Sequence, residues 1–289
     1  NKYYSSVEEE RYRLAVYKSN LKKIELHNAQ HLPWTMGVNE FADMTEDEFG
    51  FKFCGCAKDP KTRAARSTPI YGDAPERVDW REQGAVTPVK DQASCGSCWS
   101  FSTTGTVEGA YFVHSGKLVS LSEQQLVDCA TEPEYEARGC SGGWPWSVLG
   151  YVQKKGLCTE EDYPYHGKDE DCKDDKCTVA VQTAGEVQLP QGDEASLANA
   201  VAMTPVSIVL DASAMQFYKD GIITKCSENI NHAVLAVGYD TDKETGIKYW
   251  IVKNSWGENW GEKGYCRIEK DVGGMGRCAI TYSSVYPTF

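Results

Sequence analysis

The sequence predicts an α+β protein in which a helical leading segment precedes two lobes, one helical and one β-rich, with a cleft between them. Three observations carry this. Capped helical patterns cluster before residue 156, strand-like runs of Val, Ile and Leu cluster after residue 205, and a stretch without apolar periodicity at residues 54–73 sets the leading segment apart.

Residues 6–30 form the first helix. Ser6 and Glu9 are spaced as a capping box, and Arg13, Tyr17, Asn20, Ile24 and Asn28 recur at intervals of four, three, four and four, which keeps them on one face. That face should dock onto something. Thr45 and Glu48 form a second capping pair and open a helix at 46–52. Residues 54–73 are rich in small and basic side chains and read as an exposed linker that proteases would reach. From Ala74 onward, helices are expected at 98–113, at 122–129 with Ser122 as cap and Gln125 three residues on, and at 145–155, where Gly156 stops the pattern. Strands are expected at Val206–Leu210, Ala233–Val237, Tyr249–Val252 and Tyr265–Ile268, separated by Gly, Asp and Asn turns.

Composition narrows the function. The 289 residues are 41% hydrophobic and 25% charged, and contain no run of 18 apolar residues, so a globular chain with no membrane partner is expected. The formal charge of -12 is uneven: residues 1–73 carry 11 acidic and 11 basic side chains, so the whole excess of acid lies beyond them. That sign, with no basic stripe, argues against nucleic acid as a partner. Ten of the 12 cysteines lie after residue 73, which fits an oxidising compartment with several disulfides better than a reduced protein with buried thiols. Asn1-Lys2-Tyr3-Tyr4 does not read as a secretory leader, so one is expected to have been removed or left out, and no Asn-x-Ser/Thr acceptor for an N-glycan occurs.

The chemistry concentrates in three segments. Gln92-Ala-Ser-Cys95-Gly-Ser-Cys98-Trp-Ser-Phe-Ser102 places a thiol where an apolar helix begins, and the free N–H groups and partial positive charge there favour the thiolate, a nucleophile. A thiolate needs a base or cation beside it. Of five histidines, His232 stands out because it opens an apolar strand that could aim its ring into a cleft; alone, a histidine is more often structural. Asn254, in Lys253-Asn254-Ser255-Trp256-Gly257, follows a strand and could orient an imidazole without becoming charged, although by itself it would read as a turn residue.

Together these segments resemble the papain-like cysteine peptidases. His232 and Asn254 lie 134 and 156 residues after Cys98, against a family separation of roughly 130–150 residues from a Cys-Gly-[Ser/Ala]-Cys-[Trp/Tyr] signature. The resemblance implies a papain-like two-lobe fold with a β-barrel-like C-terminal lobe. It implies Cys98 as nucleophile, His232 as its ion-pair partner and general acid, Asn254 as orienter, Gln92 as an oxyanion donor and Trp256 as the indole covering the His–Asn contact. No cofactor or metal is expected. Upstream, Glu9, Arg13, Tyr17, Asn20, Ile24 and Asn28, then Gly37, Asn39, Phe41 and Asp43, resemble the two patterns of cathepsin L-type propeptides, with Tyr17 in place of Phe. Residues 1–73 are therefore expected to be an inhibitory propeptide and 74–289 the peptidase domain of a zymogen that acid activates, with Glu9 and Asp43 as candidate sensors and cleavage between Thr68 and Ala74.

By the same matching, Gly142 and Gly143 form one wall of the cleft, Trp144, Pro145, Val209, Ile230 and Ala233 line the S2 pocket, and Ser283 is its floor. That pocket would prefer Leu, Val or Phe at P2 over Arg; core packing is the other reading of Trp144 and Pro145. The short spacing of Cys129 and Cys140 leaves no room for a dipeptidase insertion, so endopeptidase action is expected. The resemblance pairs Cys95 with Cys140, Cys129 with Cys172, Cys226 with Cys278, and Cys158 with Cys177, and leaves the state of Cys54, Cys56 and Cys266 open. Expected partners are polypeptide substrates, the chain's own propeptide and cystatin-type inhibitors, in a monomer located in a lysosome or acidic vacuole or secreted. One rival is a thiol–disulfide oxidoreductase, since Cys95-Gly-Ser-Cys98 is also a Cys-x-x-Cys motif, but the βαβ context it needs is not apparent. The other, a catalytically silent binding protein of this fold, is disfavoured because Cys98, His232, Asn254 and Gln92 are all present.

Overall fold

A computed structural model describes residues 2–56 and 67–289. The order is α1 (Val7–Asn28), β1 (Trp34–Met36), α2 (Glu46–Phe53), β2 (Val78–Asp79), α3 (Cys98–Ser115), α4 (Glu123–Cys129), α5 (Pro145–Lys155), β3 (Leu157–Cys158), β4 (Val179–Val181) and β5 (Gly185–Gln188). It continues with α6 (Glu194–Val201), β6 (Val206–Leu210), β7 (Tyr218–Ile223), β8 (His232–Thr241), β9 (Lys248–Lys253), β10 (Tyr265–Glu269) and β11 (Ser284–Thr288). The helical and β-rich halves follow the order that the sequence patterns predict.

Helix α1 starts as expected from Ser6, whose hydroxyl accepts the Glu9 N–H at 3.1 Å. The reciprocal half of the capping box does not form: the Glu9 carboxylate turns to the N–H and hydroxyl of Ser5, which reach it first. Thr45 and Glu48 do close a complete box at α2. The face of α1 that carries Arg13, Tyr17, Asn20, Ile24 and Asn28 docks onto the leading segment itself. Asn20 Nδ2 donates to the carbonyls of Ala42 and Met44 at 2.9 and 2.8 Å, Asn28 exchanges two hydrogen bonds with the Met36 backbone, and Arg13 bridges the Asp43 carbonyl and the Glu48 carboxylate. Ile24 is buried and Tyr17 half-buried on the same side. Asp43 itself takes Lys2 and the Tyr4 hydroxyl.

The main sheet runs β1-β7-β10-β9-β8-β6-β11-β5, with β2 added to β8. Its centre is apolar on both faces: β6 and most of β8 are buried along their length, as continuous Val, Leu and Ala runs require. β1 pairs antiparallel with β7, so the leading segment adds an edge strand to the sheet of the following domain. Nothing in a three-residue run announces such a long-range pairing.

One hydrophobic core lies in the helical lobe around Trp99, Val107, Leu126 and Val148, and a larger one lies on the sheet around Leu197, Val206, Trp250 and Ile268. Helix α3 joins them, presenting small residues to the sheet. Ser102 donates to the Val234 carbonyl at 2.6 Å, and a Cβ on Gly109 would fall 2.5 Å from Pro205, so glycine is what permits this approach.

The disulfides are Cys95–Cys140, Cys129–Cys172, Cys158–Cys177 and Cys226–Cys278, the four pairs the resemblance implies. The linker expectation needs correction at its start: Cys54 is buried and the backbone of residues 54–56 is hydrogen-bonded inside the protein. The cause is that Gly55 lets the chain enter the cleft. Residues 57–66 lie outside the described part, and residues 68–70 are tied to β5 and α6 by Thr68 N to Gln188 O and Ile70 N to Ser196 Oγ.

Candidate active site

Cys98 is the first residue of α3, so its backbone N–H and that of Trp99 have no acceptor within the helix, while Ser100 N–H turns back to Ser97 O. The preceding turn is fixed by the Cys95–Cys140 bridge and by Gly96 N–H donating to the Cys140 carbonyl at 2.9 Å. Cys95 is therefore not available to Cys98, which removes the oxidoreductase reading. Across the cleft, His232 opens β8 and Asn254 follows β9, its neighbour in the sheet.

Asn254 Oδ1 accepts the Ser255 N–H at 2.8 Å, which fixes it as the acceptor end of the amide. It lies 2.8 Å from His232 Nε2, so that nitrogen carries the proton and Nδ1 is the one left free for chemistry. The Trp256 indole stacks on the imidazole with centroids 4.6 Å apart, sealing this contact from solvent. All three side chains are buried. Burial alone would raise the Cys98 thiol. A hydrogen bond from Cys56, the charge and hydrogen bond of His232 and the Ala233 N–H at 3.4 Å outweigh it and bring the thiol well below its ordinary range.

Gln92 is buried and held at both ends of its amide: Oε1 accepts the Ser255 hydroxyl at 2.7 Å, while Nε2 donates to the carbonyls of Cys95 and Phe53. Trp144, Val209, Ile230 and Ala233 belong to the same packed core as Cys98, and Ala233 touches its sulfur; Gly143 reaches the cleft through its N–H to Gly55 O, with Gly142 and Pro145 flanking Gly143 and Trp144 in the chain, and Ser283 accepts the Val209 N–H through its carbonyl.

The leading segment fills this cleft. Phe41 and Phe49 meet Trp256 edge-on at 5.5 and 5.0 Å, and the Trp256 indole N–H donates to Phe53 O. The chain then crosses the thiol. Gly55 N–H points at Cys98 Sγ at 3.1 Å, Gly55 O accepts the Gly143 N–H at 2.8 Å, and Cys56 N–H donates to Asn231 O at 3.0 Å. A Cβ on Gly55 would sit 1.9 Å from Gly96 O, so no other residue fits there unshifted. Sequence reasoning singled out none of Phe49, Phe53, Gly55 or Ser255. The one signal available was a glycine between two cysteines directly after a capped helix.

The description "Papain family cysteine protease" matches residues 74–288, and "Cathepsin propeptide inhibitor domain" matches residues 1–49. This chain belongs to the papain family of cysteine proteases. It is similar to cathepsin L of Sarcophaga peregrina, 42% identical over 99% of this chain and 89% of that protein, and to human cathepsin L2, 44% identical over 96% and 86%. Among solved structures, a recombinant stem bromelain precursor superposes with a TM-score of 0.90 at 36% identity, covering 100% of this chain and 94% of that one. Digestive procathepsin L 3 from the larval midgut of Tenebrio molitor gives 0.86 at 39% identity, covering 100% and 95%. This papain-family chain is the zymogen of a cysteine endopeptidase, and its leading segment is an intramolecular inhibitor.

Replacing Gly55 with Ala forces the inhibitory chain off the thiol. An overpacked site of this kind costs about 1–3 kcal/mol, and each 1.4 kcal/mol is tenfold in occupancy. The G55A zymogen is therefore expected to show residual peptidase activity at neutral pH raised by about fivefold or more, measured on a fluorogenic peptide before any cleavage of the chain.

Proposed function

We propose that Cys98 is the nucleophile of this endopeptidase, His232 its general acid, Asn254 the residue that orients His232, and Gln92 an oxyanion donor. The observation that carries this is the thiol whose titration is pulled down, against burial, by the Cys56 hydrogen bond and by an imidazole that Asn254 and Trp256 hold in one orientation. The Cys98 thiolate attacks the scissile carbonyl, and the oxyanion is received by Gln92 Nε2 and the Cys98 backbone N–H. His232 then gives its Nδ1 proton to the leaving amine as the C–N bond breaks, leaving a thioester. Water, deprotonated by His232, attacks the thioester; the acid departs and the thiolate and imidazolium are restored. In the zymogen, Phe53 O already occupies the Gln92 donor and Gly55 N–H the sulfur, so both groups that would greet a substrate carbonyl are taken.

Gly142, Gly143, Trp144, Pro145, Val209, Ile230, Ala233, Ser283 and Trp256 are proposed to contact substrate, the apolar members forming S2. Cystatin-type inhibitors suit the same cleft, and a monomer suffices because one chain supplies both walls. No helix among the described residues is long and apolar enough to cross a membrane, and an acidic vacuole or lysosome, or secretion, is the proposed setting.

Acid release is read from the leading segment. His27 is buried, with Nε2 at 3.2 Å from Trp34 O and its ring 4.0 Å from the Trp34 indole; burial lowers its pKa from 6.5. A base with a lowered folded pKa stabilises the fold above its unfolded pKa and loses that contribution as pH falls through the folded value. The loss therefore begins near pH 6.5. Glu48, held down to about 2 first by Arg13, acts lower: its contribution is present above about pH 4.5 and fades toward 2. That pair is solvent-accessible and contributes about 1 kcal/mol or less. Glu9 and Asp43 are also held low, Glu9 first by the Ser5 hydroxyl and Asp43 by Lys2 and Tyr4 against the opposing effect of burial.

Acid-treated zymogen exposed to an irreversible epoxide inhibitor and mapped by mass is expected to carry the adduct on Cys98 and a new N-terminus between Thr68 and Ala74; an adduct elsewhere overturns the nucleophile, and another terminus overturns the cleavage site. In a fluorogenic peptide series, Leu, Val or Phe at P2 is expected to exceed Arg by about tenfold or more in kcat/KM, and faster cleavage with Arg refutes the pocket. Substituting His27 with Gln removes the group that titrates first, so the midpoint of activation against pH is expected to move to lower pH; an unchanged midpoint rules out His27 as the trigger.

A further inference from the structure

Four cysteines stay free among the described residues, and three of them, Cys54, Cys56 and Cys98, meet in the cleft. Cys54 and Cys56 flank Gly55 and pack into different cores. Cys54 packs into the core that holds Phe41, Phe49 and Trp256. Cys56 packs instead against the core that holds Cys98, Val209 and Ala233, and its thiol is a hydrogen-bond partner of the Cys98 sulfur. Backbone contacts on both walls, Gly143 to Gly55 and Cys56 to Asn231, keep the two sulfurs adjacent. Eight other cysteines of this chain are already bridged, which marks conditions under which neighbouring thiols oxidise.

We propose that Cys56 is a redox latch: it forms a disulfide with Cys98 that fastens the inhibitory segment covalently to the enzyme, so that opening requires a reductant as well as acid. The oxidant is a low-molecular-weight disulfide of the glutathione type. When the leading segment opens locally, the Cys98 thiolate attacks one sulfur of that disulfide, releasing one small thiolate and becoming a mixed disulfide. The Cys56 thiol then passes its proton to a released thiolate as its sulfur attacks the Cys98 sulfur and expels the second. The two protein sulfurs are oxidised, and one small disulfide becomes one small thiol and one small thiolate, the single proton coming from Cys56. Dithiol reductants run the sequence backwards and return the chain to the non-covalently inhibited form.

The proposal rests on Cys98 being the reactive thiol, and the epoxide mapping of reduced protein tests that separately. Intact zymogen is incubated with glutathione disulfide at neutral pH, blocked with an alkylating agent, digested without reduction and mapped by mass. The expected product is a peptide containing Cys56 joined to one containing Cys98, retained in Cys54→Ser and absent in Cys56→Ser. After acid and cleavage of the linker, the leading segment of oxidised wild-type protein is expected to stay with the enzyme on a non-reducing gel, at least tenfold more than in Cys56→Ser, and to leave it on reduction. A Cys54–Cys56 pair, a Cys54–Cys98 pair, or Cys98 recovered only as thiol or glutathione adduct overturns the latch. The mapping of wild-type protein decides the matter by itself if a variant does not fold.

Discussion

The structure depends on one contact: backbone of the leading segment laid directly over an ionisable sulfur that both lobes have prepared. The helical lobe supplies the start of α3, where unsatisfied N–H groups favour negative charge on Cys98. The β-rich lobe supplies His232 at the start of β8 and, through Ala233 N–H, a further donor. A group arranged to accept hydrogen bonds as a thiolate will accept one from any N–H that reaches it, and Gly55 reaches it. On the proposed roles of Cys98 and His232, inhibition and catalysis therefore draw on the same electrostatics. The inhibitor is not a plug of matching shape alone; it occupies donors and acceptors that a substrate would otherwise use, while Phe41 and Phe49 rest on the indole that shields the histidine.

Keeping the two walls in register falls to a buried charged group behind the site. Lys90 bridges Glu108 at 3.1 Å and Glu123 at 2.6 Å, both on the helical lobe, while Lys253, the last residue of β9, donates to Thr87, whose hydroxyl donates to Glu108. Burial brings Lys253 down to about 8 and Glu123 up to about 7, whereas Glu108 is held low by the two lysines against the opposing effect of burial. Such clusters add little net stability, because desolvation offsets most of the attraction, but removing one member costs about 3–5 kcal/mol. Their value is geometric. Asn254 directly follows Lys253, so tethering that lysine to α3 through Thr87 and Glu108 fixes the depth at which the imidazole's partner sits relative to Cys98.

Much of this was legible in the sequence, and the parts that were not share a cause. Cys98, His232 and Asn254 could be read because each sits at the boundary of an element with strong local signals: a helix start, an apolar strand, a Gly/Trp turn. The polar face of α1 was legible as a face, from the spacing of Asn20, Ile24 and Asn28, but not its partner, since hydrogen bonds from amide side chains to a distant backbone leave no mark on the composition of that backbone. β1 was missed because three residues carry no periodicity and its pairing with β7 spans the chain. Residues 54–56 read as linker because small residues, glycine and no apolar pattern describe an exposed tether and an extended segment threading a narrow cleft equally well. His27 escaped because a histidine in a charged helix gives no sign of being buried.

The division of stability along the chain explains how one molecule can release its own inhibitor without unfolding. All four disulfides lie at or beyond Cys95, and both large hydrophobic cores are built mainly from residues after 74. The leading segment has no disulfide of its own; it is organised by a few hydrogen-bonded amides, the Arg13–Glu48 pair, buried His27 and an aromatic patch that rests on Trp256. Local opening is easiest where apolar contact is sparse and polar contacts titrate. In the proposed acid release, protonation of His27 and, at lower pH, of Glu48 removes contacts of the leading segment in turn, while cross-links whose bonds do not titrate hold the two lobes in place. A segment made from many weak, protonatable contacts around one glycine is thus suited to leave, and the site beneath it is suited to remain as it was found.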